Sequence, residues 1–252
     1  MKIVTPYARI LAPPESGYTM FTIPDGLNLL RRIEWSGRIS HRSEDAMTQD
    51  SYQRFIRTVV LEHGDWSIVE HATVSVDMLV DRGITHEIVR HRLFSYTQES
   101  TRFVNYEKKM PPSFIYPKPD VRCEICLEGN DFLAVNTDEI FVHSNNRTCS
   151  YDYSWIMGIR LAEESYKDLL AKGWRPQEAR SVFPNALASR IIITGNLRNW
   201  RHFFLMRTSK EAHPQMREVT IPLLEEFQTK IPILFEDIEP NARQIDNLKK
   251  GR

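Results

Sequence analysis

The chain has 252 residues, with 33 Lys plus Arg against 33 Asp plus Glu, so its formal net charge at neutral pH is zero. That length supports one large domain or two small ones, and the balanced charge argues against a bulk polyelectrolyte partner such as DNA or an anionic membrane surface. No run of about 18 apolar residues is present, the stretch from Met1 to Arg9 lacks a signal-peptide core and three cysteines cannot form a disulfide framework, so a cytoplasmic protein is expected.

Residues 1–24 read as strands and turns broken by Pro6, Pro13, Pro14 and Pro24. Asp25 to Ser36 reads as a short amphipathic helix through Leu27, Leu29, Leu30 and Ile33. Thr48 can cap a helix running to about Glu62 and ended by Gly64, with Phe55, Val59 and Val60 in its stripe. Ala72 to Val80 alternates as a strand, with Val74, Val76, Met78 and Val80 on one face. Thr85 can then cap the helix that carries Glu87 and Arg90. Residues 107–150 hold Pro111, Pro112, Pro117, Pro119 and all three cysteines, and read as an excursion. Ser150 to Leu170 is a long amphipathic helix closed by Gly173, and Pro176 begins a short helix that stops before Pro184. Leu187 to Thr194, with Ile191-Ile192-Ile193, reads as a strand or a buried helix end. Asn196 can cap a helix through Arg207, and Pro214 stands near the start of a last helix reaching about Phe235. The charged tail from Glu239 is expected to fray. Helices and strands mix without a regular βαβ rhythm. The expected fold is therefore α+β, a central mostly antiparallel sheet flanked by helices, as a single domain over 1–252 with residues 118–149 inserted and a 239–252 tail.

One stretch carries more chemistry than a fold requires. Arg90-His91-Arg92 places three cationic or potentially cationic heads in succession, which repel one another unless anions neutralise them. Ser95, Thr97, Gln98, Ser100 and Thr101 follow with hydroxyls and an amide able to bond phosphate, sugar or base edges. A basic cluster is often a solvated face. Here apolar Ile84, Ile88 and Val89 precede it and Phe94, Tyr96 and Phe103 follow, which favours a pocket for a nucleotide-like polyanion. A second constellation lies on the helix from Leu197, where Trp200, Phe203, Phe204 and Arg207 fall at i, i+3, i+4 and i+7. Arg207 therefore shares the core-facing stripe, and a guanidinium there calls for a carboxylate, a carbonyl or a bound anion. A snorkelling arginine or a buried salt bridge is the alternative.

Arg-His-Arg followed by seven residues and Ser resembles the signature of the flavin-dependent thymidylate synthases, and Arg90, His91, Arg92 and Ser100 match it fully. The flanking Ser95, Gln98 and Arg102 also look like that family, and Asn196, Arg198, His202 and Arg207 match the spacing of its second half. The resemblance spans roughly residues 25–106 and 150–220 and implies reductive methylation of dUMP to dTMP. The flavin, FAD, is the redox carrier, with 5,10-methylenetetrahydrofolate and NADPH or NADH as co-substrates and no cysteine nucleophile. It implies dUMP contacts from Glu87, Arg90, Gln98, Ser100, Thr101, Arg102, Arg180 and Arg207, the Arg180 match resting on Pro176-Gln177-Glu178-Ala179-Arg180. It implies FAD contacts from Ser40, Ser67, Glu70, Arg90, His91, Arg92, Asn196, Arg198 and His202. Arg207 is then the catalytic residue, a cation beside N3 and O4 of the uracil that favours the N3-deprotonated form. The resemblance also implies a homotetramer with active sites shared between subunits, and no nucleic-acid or membrane partner.

The match has departures. Some relatives have Gln where Glu87 stands, Asn-Glu where Thr97-Gln98 stand, and His where Asp65 stands. Cys123 and Cys126 have the C-x-x-C spacing that suits zinc, with His143 and Cys149 as further donors, but the later pair is poorly spaced and no metal is expected. Two other classes stay open to the residues alone: a nucleotide- or RNA-binding module using Arg-His-Arg with its Phe and Tyr neighbours, and a zinc-stabilised interaction module around 118–150.

Overall fold

Alternation of Val74, Val76, Met78 and Val80 predicts one buried strand face, and in the computed structural model all four side chains are buried. The structure describes residues 2–13, 21–108, 111–118, 134–135, 141–142 and 153–243. In chain order the strands are Lys2–Ile3 (β1), Tyr7–Ile10 (β2), Thr73–Asp81 (β3), Ser95–Gln98 (β4), Ser113–Phe114 (β5), Ala134–Val135 (β6), Phe141–Val142 (β7) and Ala188–Asn196 (β8). The helices are Ile23–Arg38 (α1), Ser51–Phe55 (α2), Arg82–Ile88 (α3), Tyr153–Ala171 (α4), Pro176–Ala179 (α5), Leu197–Arg207 (α6) and Pro214–Lys230 (α7). The expected α+β class is observed, with a four-stranded antiparallel sheet of order β2-β3-β8-β4. β1 pairs in parallel with β5, and β6 pairs antiparallel with β7. The Ile191-Ile192-Ile193 run is strand, with Ile191 and Ile193 buried on one face of β8.

Four boundaries differ from the sequence expectation, each for a local reason. Pro24 opens α1 rather than breaking the chain: Thr22 and Asp25 form a reciprocal capping box, and a proline costs nothing in a first turn whose N–H groups have no helical partner. The helix expected from Thr48 starts at Ser51, and after five residues it widens into a π-helix over Ile56–Glu62, where His63 N–H reaches the Thr58 carbonyl at 3.0 Å. Asp81, not Thr85, caps α3, its Oδ1 accepting from Ile84 N–H at 2.8 Å. The last helix ends at Lys230, short of Phe235. Gly173 closes α4 as expected: its φ of +87° suits glycine, and its N–H bonds the Leu170 carbonyl at 2.9 Å. The cysteines, His143 and the end of the tail lie outside the described residues. Among the described residues no cluster of three or more metal-ligating side chains exists, and no helix is long and apolar enough to cross a membrane.

The chain divides into two compact units. The first comprises Met1–Tyr7, Leu79–Arg90 and Thr97–Ile191; its core holds Tyr106, Phe114, Ile159, Tyr166, Ala179 and Leu187. The second comprises Ala8–Met78, His91–Tyr96 and Ile192–Arg252. Its core is aromatic: Trp200 stacks on Phe204 at 5.9 Å, Phe204 meets Phe227 edge-on at 4.9 Å, and Phe227 meets Phe235 at 5.1 Å. Such pairs contribute about 0.5–1.5 kcal/mol each beyond burial. Buried Arg201 fixes the neighbouring face of α6 by a fork to both oxygens of Asp237, at 2.6 and 2.5 Å. β3 and β8 each pass from one unit to the other, and one of the chain boundaries falls between Arg90 and His91.

Candidate active site

In the first unit, the turn after β4 gathers the polar end of the signature. The Ser100 carbonyl accepts from Phe103 N–H at 3.1 Å and Val104 N–H at 3.0 Å, and Ser100 Oγ accepts from Arg102 N–H at 3.3 Å. This fold-back sets Ser100, Thr101 and Arg102 side by side. Arg180, on the turn after α5, donates to Oγ1 of buried Thr101 at 2.9 Å. Gln177 links the two exposed guanidinia, its Oε1 accepting from Arg102 Nε at 3.0 Å and its carbonyl from Arg180 Nε at 3.2 Å. Two arginines fixed by a common residue, with a serine beside them, form a donor set suited to a phosphate monoester. Gln98 lies half-buried behind this turn. Glu99 is engaged inward: Tyr106 Oη donates to its Oε1 at 2.7 Å, and burial, reinforced by that carboxylate, pushes the Tyr106 hydroxyl pKa up. Glu87 is half-buried on α3 and Arg90 is exposed just beyond it.

In the second unit, Arg207 Nε donates to His91 Nε2 at 2.8 Å. The sequence places Arg207 on the apolar stripe of α6 and calls for an anion or carbonyl; at Nε its partner is an imidazole. A guanidinium only donates, so His91 Nε2 must carry no proton. The imidazole is then neutral, with its hydrogen on Nδ1. Its pKa is lowered from 6.5 to about 4, chiefly by desolvation, then by Arg207 and by His202. The central head of Arg90-His91-Arg92 therefore carries no charge at neutral pH, which relieves the repulsion that three adjacent cations would impose. His91 packs edge-on against Phe203 at 5.0 Å, and Tyr96 Oη donates to the His91 carbonyl at 2.7 Å. Phe94 fills the space over Gly195 and meets Trp200 at 4.8 Å; a Cβ at Gly195 would stand 2.3 Å from the Phe94 ring.

The rest of the second-unit set is only partly gathered. Asn196 caps α6, its Oδ1 accepting from Asn199 N–H at 2.9 Å, so its carbonyl end serves the helix. Arg198 pairs with Glu70 at 2.6 Å, both exposed. Asn199 Nδ2 donates to the Leu93 carbonyl at 3.0 Å and ties the signature to α6. Ser67 is exposed on the 3-10 turn Trp66–His71, and Arg92 and His202 are exposed. Ser40, in the 3-10 turn Ile39–His41 after α1, turns its hydroxyl to the Gly37 carbonyl at 2.8 Å. Sequence reasoning missed Gln177 and Asn199. Gln177 stood inside the Pro176–Arg180 match and was legible there; the Asn199 bond to the Leu93 carbonyl joins residues far apart in sequence.

The sequence model of the family described as thymidylate synthase complementing protein matches residues 27–233. A flavin-dependent thymidylate synthase from Corynebacterium diphtheriae is 34% identical over 218 residues, covering 83% of this chain and 79% of that protein. One from Mycolicibacterium vanbaalenii is 34% identical over 236 residues, covering 90% and 85%. Among solved structures, thymidylate synthase X from Helicobacter pylori, with FAD and dUMP, superposes with a TM-score of 0.64 at 19% identity over 93% of this chain and 99% of that one. The UMP/dUMP methylase PolB from Streptomyces cacaoi, bound with 5-Br dUMP, gives 0.64 at 20% identity over 94% and 96%. At those identities the two structures establish a shared fold.

Proposed function

The chain belongs to the thymidylate synthase complementing protein family, and from that premise we propose that it is a flavin-dependent thymidylate synthase converting dUMP to dTMP through FAD. The methylene of 5,10-methylenetetrahydrofolate becomes the methyl carbon. Its bond to uracil C5 forms as the bond to the folate nitrogen breaks and the C5 proton is lost; the hydride that completes the methyl group would come from NADPH by way of bound FAD, leaving dTMP, tetrahydrofolate and NADP+. The assembly is a homotetramer with shared active sites, each chain acting as one catalytic domain over 1–252, and its compartment is the cytoplasm.

The donor set fits FAD. Exposed Arg92 and Arg198 supply cations for a pyrophosphate, with Arg90 two residues before Arg92 in sequence. The Ser67 hydroxyl, the Asn196 amide N–H donors, neutral His91 and exposed His202 offer hydrogen bonds for ribose and ring heteroatoms. Glu70, paired with Arg198, suits a ribose hydroxyl, and Ser40 completes the set. When bound, the flavin supplies two-electron redox chemistry. On the substrate side, Arg102 and Arg180 hold the phosphate with Ser100, while Thr101 fixes Arg180. Arg90, Gln98 and Glu87 face sugar and base, the Glu87 carboxylate accepting from a donor there.

The observation that carries the reading is the Arg207–His91 bond at 2.8 Å. A permanent cation whose Nε is committed to a neutral imidazole keeps its charge and gains a defined orientation. Such a guanidinium beside uracil N3 and O4 stabilises the negative charge that develops on the base and promotes loss of the N3 proton. The test is a visible absorption spectrum of the purified protein, a dUMP titration, and an assay for dTMP with dUMP, methylenetetrahydrofolate and NADPH. A flavin band that shifts saturably with dUMP, and dTMP formation, are expected. A colourless protein that takes up no added FAD would overturn the assignment.

A further inference from the structure

The side-chain amide of Gln98 is held by two buried hydroxyls. Its Nε2 lies 3.1 Å from Thr85 Oγ1 and 3.0 Å from Ser189 Oγ. Thr85 is wholly buried and Ser189 is 1% exposed. The orientation follows from proton counting. A threonine hydroxyl has one hydrogen, and Thr85 donates it to the Arg82 carbonyl at 2.9 Å. Toward Gln98 it can only accept, so the amide must turn its NH2 group to Thr85. The flipped amide would set carbonyl oxygen against an oxygen whose proton points elsewhere, two acceptors in a buried setting. Both Nε2 hydrogens are thus engaged, one per hydroxyl, and Oε1 is the end presented away from this pair.

We infer that Thr85 and Ser189 are positioning residues that make Gln98 a dedicated hydrogen-bond acceptor for the uridine nucleotide. The inference rests on the proposed dUMP site. A deoxyuridine nucleotide has two neutral donors, the imide N3–H and the ribose 3′-hydroxyl, and a fixed carbonyl oxygen selects either. Neither Thr85 nor Ser189 touches the substrate in this arrangement; they act through the amide. A glutamine without them could present its NH2 end as readily and would lose this discrimination.

The test uses the flavin-loaded enzyme and isothermal calorimetry with dUMP, backed by steady-state kinetics. Thr85→Val keeps the shape and removes the acceptor; Thr85→Ser restores it; Ser189→Ala removes the second hydroxyl. The expected result is roughly tenfold weaker dUMP binding in Thr85→Val and a smaller loss in Ser189→Ala. KM should rise more than kcat falls, with near wild-type affinity in Thr85→Ser. The 2′,3′-dideoxy and N3-methyl analogues of dUMP identify the donor: the analogue lacking it binds wild type weakly and is no longer discriminated by Thr85→Val. Equal dUMP affinity in wild type and in folded Thr85→Val and Ser189→Ala would overturn the positioning role while leaving the enzyme assignment intact. Equal losses in Thr85→Val and Thr85→Ser would likewise overturn it, because packing alone would then explain them. Absence of dUMP binding by the wild type would instead sink the assignment and this inference together.

Discussion

Acidification should break the Arg207–His91 contact, and the pH window follows from the imidazole. In the unfolded chain His91 titrates near the ordinary 6.5; in the folded protein desolvation, Arg207 and His202 lower it to about 4. Between those values the unfolded state binds a proton that the folded state refuses, so stability rises with pH across this window. The depressed pKa therefore costs stability as pH falls from about 6.5 to about 4, adds nothing further below that, and is harmless above 6.5. A tenfold change in proton affinity corresponds to about 1.4 kcal/mol, so the drop from 6.5 to about 4 sets a ceiling of roughly 3.5 kcal/mol on the lost stability. His91 is half-buried, with water reaching part of the ring, and screening reduces this to about 1–2 kcal/mol. The groups facing the ring are Arg207, bonded at Nε2, and His202, 6.2 Å away between centroids; Tyr96 bonds the backbone carbonyl instead. The comparison is wild type against His91→Asn, by urea unfolding from pH 7.5 to pH 4. Carboxylates titrate equally in both and cancel in the difference. The stability advantage of wild type should shrink by about 1–2 kcal/mol over this range, and the His91 ring signals in NMR should titrate far below 6.5. Parallel stability curves, or an imidazole titrating at its ordinary value, would refute the neutral-acceptor geometry.

Arg207→Ala should leave flavin bound but cut turnover at least about tenfold, on the order of 1.4 kcal/mol of transition-state stabilisation; dTMP formation at wild-type rate would remove Arg207 from the chemistry. Gly195→Ala places a methyl 2.3 Å from the Phe94 ring and forces that ring out of its position against Trp200. A loss of about 1–3 kcal/mol is expected from overpacking, read as a lower thermal midpoint by circular dichroism. An unchanged midpoint would mean that Phe94 relaxes without strain.

Local rules made much of this protein legible. The alternation of valines predicted β3, Asn196 was identified as the cap of α6, and Gly173 as the close of α4, because strand periodicity and helix capping involve side chains a few residues apart. The spacing from Arg90 to Ser100 and the order of the two constellations placed the family, since both are properties of the chain itself. Errors arose where neighbours competed. Thr85 is a plausible cap by type, but Asp81 sits four residues earlier at the true start and takes that role. Pro24 reads as a break until Thr22 and Asp25 close a capping box around it.

Tertiary structure alone decided the protonation state of His91 and the orientation of Gln98. Arg207 and His91 are 116 residues apart in sequence, and Gln98 and Ser189 are 91 apart. No periodicity reaches that far. Which nitrogen or oxygen faces which partner depends on where the strands and α6 bring their ends. An imidazole or an amide takes its acid–base and donor–acceptor identity from the groups packed against it, so the residue types were readable from the sequence while their chemical states required the fold.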